Sequence, residues 1–324
     1  MEVRLVERAN IPFKAIPAAG LHGVGLRQMP GSLLTLSRGL RAASRIIKEY
    51  KPDALFFTGG YVAVPVAVAG RKIPSLLYVP DIEPGLALKT LAYFAKRITV
   101  TAEESKQYFS HSADIIVTGY PVRAEIANWN KTTGREHLEI KSGAPVVLVF
   151  GGSKGAHSIN TALFEHLDTL LQHMEVVHIS GELDWPLVAT ARETLSSEKA
   201  ARYHAYPYLY EDMGAALAAA DLVVSRSGAS VLGELPQFGV PAILVPYPHA
   251  WRYQLVNANT LAKRGAALMI EDFKLKSGLY LTIEKLLETP EKLEEMRKAM
   301  LALRAPTAAE KIADQLFEIA GEKL

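Results

Sequence analysis

The 324-residue chain contains no cysteine, which excludes disulfides, thiolate metal sites and a cysteine nucleophile and fits a cytoplasmic protein. Long apolar runs are also missing. The longest, residues 63–70 and 241–247, fall well short of the ~20 residues that a membrane-spanning helix needs. A secretory leader is not expected at the start either, because Glu2, Arg4, Glu7 and Arg8 interrupt any apolar core. The nine histidines show no His-Glu-x-x-His or comparable ligand spacing, so no metal site is expected. No Gly-x-Ser-x-Gly elbow points to a serine hydrolase. Net charge is only +2, and no nucleic-acid partner is expected.

That charge is unevenly spread. Residues 1–60 hold nine Lys/Arg against four Asp/Glu, giving +5 and leaving −3 for the rest. Within this part Met29, Leu33, Leu34, Leu36 and Leu40 lie among Arg27, Arg38, Arg41 and Arg45. Two readings stay open: an apolar patch rimmed by arginines that rests on anionic lipid, or an ordinary amphipathic helix with its leucines packed inward.

The length exceeds the usual size of one core, and 49% apolar residues suffice for two, so two domains with a ligand cleft between them are expected. Apolar, β-branched runs alternate with helical patterns, the signature of an α/β chain with parallel sheets. Strands are expected at 54–57, 75–78, 98–101 and 115–117, then at 146–150, 175–179, 222–224, 242–245 and 267–270, so that each half resembles a doubly wound unit. A polar, loop-like linker is expected at 119–144. Two helices, 291–304 and 307–319, should be separated at Pro306. The start departs from the pattern, because short runs at 1–7 and 11–16 stand where a strand, a glycine turn and a helix normally open such a domain. About 30 or more residues, the size of a βαβ unit, are expected to be missing, through a misassigned start or an unusual first half.

Several turns carry candidate chemistry. Gly151-Gly152-Ser153-Lys154-Gly155-Ala156 follows a strand and opens a helix, an arrangement that cradles anions, although a tight turn needing glycine geometry reads the same way. The spacing is not that of a P-loop. Ser225-Arg226-Ser227-Gly228-Ala229-Ser230 forms a second such turn, and Ser230 and Glu234, four apart, share a helix face. If that face meets the cleft, Glu234 is placed to clamp a ribose; otherwise it is a solvated surface carboxylate. Pro236 should bend or shorten the same helix. After Pro246-Tyr247-Pro248-His249, the residues Arg252, Gln254 and Asn257 suit sugar hydroxyls or a helix cap. Thr58-Gly59-Gly60-Tyr61 is the glycine turn of the first half. Asp81 or Glu83, in Tyr78-Val79-Pro80-Asp81-Ile82-Glu83-Pro84-Gly85, offers a general base, with a turn cap as the alternative for Asp81.

Together with Gly119-Tyr120-Pro121-Val122-Arg123 and Leu209-Tyr210-Glu211-Asp212-Met213, these segments resemble the MurG family of bacterial glycosyltransferases over almost the whole chain. The resemblance implies a GT-B fold, with two Rossmann-like doubly wound domains facing across a cleft and the first domain N-terminally truncated. It implies residues 1–140 as the acceptor and membrane-side domain, residues 141–306 as the donor domain, and a C-terminal helix, 307–324, packing back on the first. The implied activity is that of an inverting, metal-independent and cofactor-free hexosyltransferase. Such an enzyme moves N-acetylglucosamine from UDP-N-acetylglucosamine to lipid I or a related polyprenyl-linked acceptor, a step of peptidoglycan synthesis yielding lipid II. The family would work as a cytoplasmic, peripheral protein on anionic lipid at the inner face of the cell membrane. Carried to matching positions, Glu234 holds the ribose and the backbone near Tyr210 reads uracil. Ser153 and Arg123 meet the diphosphate with the turns at Gly152, Ser227 and Gly228, Gln254 and Asn257 contact the sugar, and Asp81 is the candidate base.

Departures fall mainly in the acceptor half. The family's Gly-Gly-Thr-Gly-Gly-His loop has no counterpart, and Tyr78-Val79-Pro80-Asp81 stands where the family has His-Glu-Gln-Asn. In the sugar loop Trp251 replaces an aspartate and Tyr253 a glutamine. The remaining alternatives are a different acceptor, a UDP-N-acetylglucosamine epimerase, or a non-catalytic nucleotide-sugar-binding scaffold.

Overall fold

The β-branched runs form two wholly parallel sheets in the computed structural model, which describes residues 6, 10–18, 29–152, 155–249 and 252–321. The first sheet holds β1 (Leu55–Phe57), β2 (Ser75–Val79), β3 (Arg97–Val100) and β4 (Ile115–Val117) in the order β1-β2-β3-β4. The second holds β5 (Val146–Phe150), β6 (Glu175–Ile179), β7 (Tyr203–Tyr206), β8 (Leu222–Ser225), β9 (Ala242–Leu244) and β10 (Ala267–Met269) in the order β10-β9-β8-β5-β6-β7. Parallel strands need helical crossovers, which cover both faces and explain the unbroken apolar runs. In β5, Val146, Leu148 and Phe150 enter one core while Val147 and Val149 enter the other.

Among the described residues the first sheet runs in simple sequence order, while the order of the second reverses. Two expectations need correction. Strand β7 was not foreseen: Tyr203-His204-Ala205-Tyr206 is an edge strand, mostly half-buried, with too little apolar character to stand out. The segment 119–144 is not merely a loop. It contains the helices Ala124–Ala127 and Lys131–His137, the latter opened by a reciprocal Asn130–Thr133 capping box. Both pack against the helix Met213–Ala219 of the second sheet, with Gly134 pressed against the Ala215 carbonyl. These helices are too short to display a clear period in sequence.

Pro236 lies in a helix of only eight residues, Val231–Phe238, which Gly239 ends in the left-handed conformation. Pro306 separates the helices Pro290–Leu301 and Ala308–Ala320. The second of these returns to the first sheet, where Ile312 and Ile319 pack on Leu76 and Tyr78. There Arg97 donates to Gln315 at 2.6 Å and to Glu318 at 2.7 Å. In the long helix Met29–Tyr50, Ala43 is buried, Leu36 and Leu40 are half-buried, and Leu34, Arg38, Arg41 and Arg45 are exposed. Arg27 and the side chains of Met29 and Leu33 lie outside the described residues. No described helix is long and apolar enough to cross a membrane.

Candidate functional site

Strand order in the second sheet reverses between β5 and β8, which are neighbours although β6 and β7 intervene in sequence. In such sheets ligands bind outside the carboxyl ends of the strands at the reversal. The two glycine and serine turns stand there: Gly151-Gly152 leaves β5, and Arg226-Ser227-Gly228 leaves β8.

The first turn is anchored from behind. Gly155 bonds back to the Gly152 carbonyl at 2.9 Å, and a Cβ on Gly155 would stand 2.4 Å from the Ser180 carbonyl oxygen, so the close approach demands glycine. Gly152 faces open space. Ser153 and Lys154 lie outside the described residues. Behind the turn, Asn160 donates to the Ser180 carbonyl at 2.8 Å and to Asp184 at 2.7 Å. The Asn160 oxygen meets His178 Nε2 at 3.0 Å, and His178 Nδ1 meets the Tyr203 hydroxyl at 2.7 Å. Burial pushes His178 down to about 3, so its ring is neutral and donates through Nε2 while accepting through Nδ1. This buried chain ties the helix His157–Phe164, which follows the turn, to β6 and β7.

At the second turn Arg226 donates to Asp272 at 2.5 Å and to Ser158 at 2.8 Å, with its guanidinium 5.2 Å from the Tyr247 ring centre. It ties together the segments that follow β5, β8, β9 and β10. The sequence hinted at this clamp only through an arginine lodged between serines at a strand end, a place where burial demands partners. Ser227 is fully buried and donates to the Gln254 carbonyl at 2.8 Å. Gly228 faces open space, and the bond from Val231 N to the Gly228 carbonyl starts the helix that carries Glu234.

Glu234 is half-buried. Burial raises its carboxyl above the ordinary range, while a Ser230 hydrogen bond and the nearby Arg123 charge pull the other way. Tyr120 packs on Gly233 of the same helix. Burial first, then the negative charges of Glu234 and Asp81, push the Tyr120 phenol up to about 12. Tyr120 therefore lies within electrostatic reach of a carboxylate from each sheet.

Asp81 follows β2 and reaches across the domains: Asn257 Nδ2 donates to its Oδ1 at 2.8 Å. Burial raises the Asp81 carboxyl, and the Asn257 bond opposes that shift. Gly85 stands at the cap of the following helix Leu86–Ala92. Glu83 is buried and faces two cations, Arg252 at 2.7 Å and Lys89 at 3.8 Å. Gln254 accepts from the Tyr247 backbone at 2.9 Å and stays half-buried. The sequence placed Asn257 on a sugar, but both its amide hydrogens are taken by protein acceptors and the residue is fully buried. Tyr210 is exposed beside Tyr208 on the loop after edge strand β7. A cavity of about 690 Å³ lies at the ends of β9 and β10, lined by Tyr247, His249, Arg252, Leu255 and Phe273 among others.

Comparison with known proteins reveals matches across both sheets. Residues 1–100 match the glycosyltransferase family 28 N-terminal domain, and residues 146–316 match the glycosyltransferase family 28 C-terminal domain. A relative from Roseiflexus sp. (strain RS-1) is 38% identical, over 97% of this chain and 80% of its own. It is named UDP-N-acetylglucosamine--N-acetylmuramyl-(pentapeptide) pyrophosphoryl-undecaprenol N-acetylglucosamine transferase. The crystal structure of Acinetobacter baumannii MurG superposes with a TM-score of 0.76 at 25% identity, covering 98% of this chain and 88% of that one. A UDP-GlcNAc 2-epimerase from Neisseria meningitidis, bound to UDP-GlcNAc, has a TM-score of 0.64 at 14% identity, covering 98% and 88%, and shares the fold.

Proposed function

The chain belongs to glycosyltransferase family 28, and on that premise we propose that it moves N-acetylglucosamine from UDP-N-acetylglucosamine to the muramyl-pentapeptide diphosphate lipid for which its bacterial relatives are named. The observation that carries this reading is the bridge at the strand-order reversal, where one Asn257 amide bonds both Asp81, which follows β2, and the Ser227 carbonyl of the turn that leaves β8 towards Glu234.

In this mechanism, backbone N–H groups at Gly152 and at the Gly228 helix start, with Ser153 and Arg123, stabilise the diphosphate. Negative charge grows on the departing UDP in the transition state, so fixed donors there lower the barrier. Glu234 accepts the ribose hydroxyls, the backbone near Tyr210 meets uracil, and Gln254 orients the sugar. Asp81 takes the proton of the acceptor hydroxyl as its oxygen attacks the anomeric carbon from the side opposite UDP, which inverts that centre. Asp81 suits this role better than Glu83, whose charge is already engaged by Arg252 and Lys89. The chemistry asks for no metal or cofactor. The division into an acceptor domain, residues 1–140 with helix 307–324, and a donor domain, residues 141–306, follows the two sheets. The helices within 124–137 nevertheless side with the second sheet.

Labelled UDP-N-acetylglucosamine should give product only when the lipid-linked acceptor is added. Epimerised UDP-sugar formed from donor alone would establish the epimerase instead, and donor binding without turnover would establish a scaffold. Peripheral attachment at the inner membrane face is part of the proposal, supported by exposed Leu34 beside exposed Arg38, Arg41 and Arg45. The full chain is expected to sediment with vesicles containing phosphatidylglycerol and not with neutral ones. Equal binding to both would remove the arginines from that role.

A further inference from the structure

We infer that Asn257 is a positioning residue: from the donor side it fixes the carboxylate of Asp81, so that the base and the donor turn are assembled as one unit. This rests on the reading of Asp81 as base. Asn257 sits on the helix Tyr253–Lys263 with no exposed surface. Its Oδ1 accepts from Ile82 N at 3.1 Å, while its Nδ2 donates to Asp81 Oδ1 at 2.8 Å and to the Ser227 carbonyl at 3.1 Å. The amide cannot be turned over, because Ile82 N is only a donor and the Ser227 carbonyl only an acceptor. Its orientation is therefore dictated by one backbone group from each domain, and its remaining hydrogen goes to the carboxylate.

Two consequences follow. The bond to Oδ1 leaves Oδ2, to which no described residue hydrogen bonds, as the oxygen for an incoming hydroxyl. Because the Ser227 carbonyl belongs to the turn that meets the diphosphate, a shift of that turn is felt at Asp81 through a single side chain. The interdomain ion pairs Arg252–Glu83 and Arg264–Glu104 rest on more exposed cations, so they hold the domains together more loosely than a buried amide does.

The titratable groups facing Asp81 are Tyr78, from β2, and Tyr120, from the segment after β4, both raised by burial. Neither titrates in the acidic range. Among the described residues no cation pairs with Asp81, so the Asn257 amide is the group that favours its charged form. Removing the amide should raise the Asp81 carboxyl further and carry the acidic limb of kcat to higher pH.

The test uses the full chain, UDP for calorimetry, and labelled UDP-N-acetylglucosamine with lipid-linked acceptor for turnover. Asn257→Ala is expected to keep UDP affinity within about threefold, to lower kcat by about 10- to 100-fold, and to move the acidic limb of kcat up by about one pH unit. Asn257→Asp keeps the side-chain shape if the alanine variant does not fold, and it should move the limb further because a second carboxylate then faces Asp81. A reduced kcat with an unmoved limb, or an undiminished kcat, overturns the inference. Asp81→Asn separates the two ideas. If that variant keeps its kcat, the base reading fails and the inference with it; if it is inactive while the limb of the Asn257 variants stays fixed, only the inference fails.

Discussion

Replacing Glu234 with alanine is expected to weaken UDP-N-acetylglucosamine binding by about 100-fold or more. A carboxylate that accepts both ribose hydroxyls makes two charge-assisted hydrogen bonds, each worth about 1.5–3 kcal/mol, and truncation loses both. Glu234→Gln retains one acceptor oxygen and should lose roughly tenfold. The acidity of the site sharpens the expectation. Because burial raises the Glu234 carboxyl, it gains its proton above the ordinary carboxylate range, and only the ionised form accepts both hydroxyls. Affinity should be complete well above that raised value and fall as pH drops through it, whereas the glutamine variant should show no such fall. Calorimetry across the acidic range measures both effects. An alanine variant binding within about threefold of the parent would remove the ribose role.

Asp81→Asn should leave UDP binding intact and lower kcat by about a thousandfold, the middle of the range for a positioned general base. Asparagine fits the same space but accepts no proton. Since Asp81 is also raised by burial, the parent enzyme should lose kcat as pH falls through that raised value, because a protonated carboxyl is no base. The variant's residual rate should be flat over the same interval. Turnover at saturating donor decides the matter: a kcat within tenfold of the parent would move the search for the base elsewhere.

The sequence conveyed the buried strands far better than the contacts between distant segments, for physical reasons. Val146–Phe150 is buried on both faces and so reads as an uninterrupted apolar run, and the turn behind it needs glycine where the backbone approaches Ser180. Such constraints are local and leave local marks. Strand β7 leaves a fainter one, since an edge strand can be half polar. The short helices between 124 and 137 owe their stability to the helix Met213–Ala219, about 80 positions further on, and not to any period of their own. The bond between Asp81 and Asn257 spans 176 positions. No spacing rule connects such residues, and an asparagine at a helix start resembles a cap or a sugar ligand equally well. Tyr120 was equally silent, because its importance comes from what Gly233 allows it to touch.

The helix Ala308–Ala320 has a further consequence for how the molecule is made. The sheet it covers is numbered 55–117, yet the Leu76 and Tyr78 face of β2 stays uncovered until Ile312 and Ile319 have left the ribosome. The second sheet has all its strands by residue 269 and its core takes in Met296 and Met300, so during synthesis every residue of the later domain's core is made before those that cover the earlier sheet, against the usual order. Asp81 follows directly from β2, so the position of this carboxylate depends on a face that is completed by chain from beyond the whole second sheet.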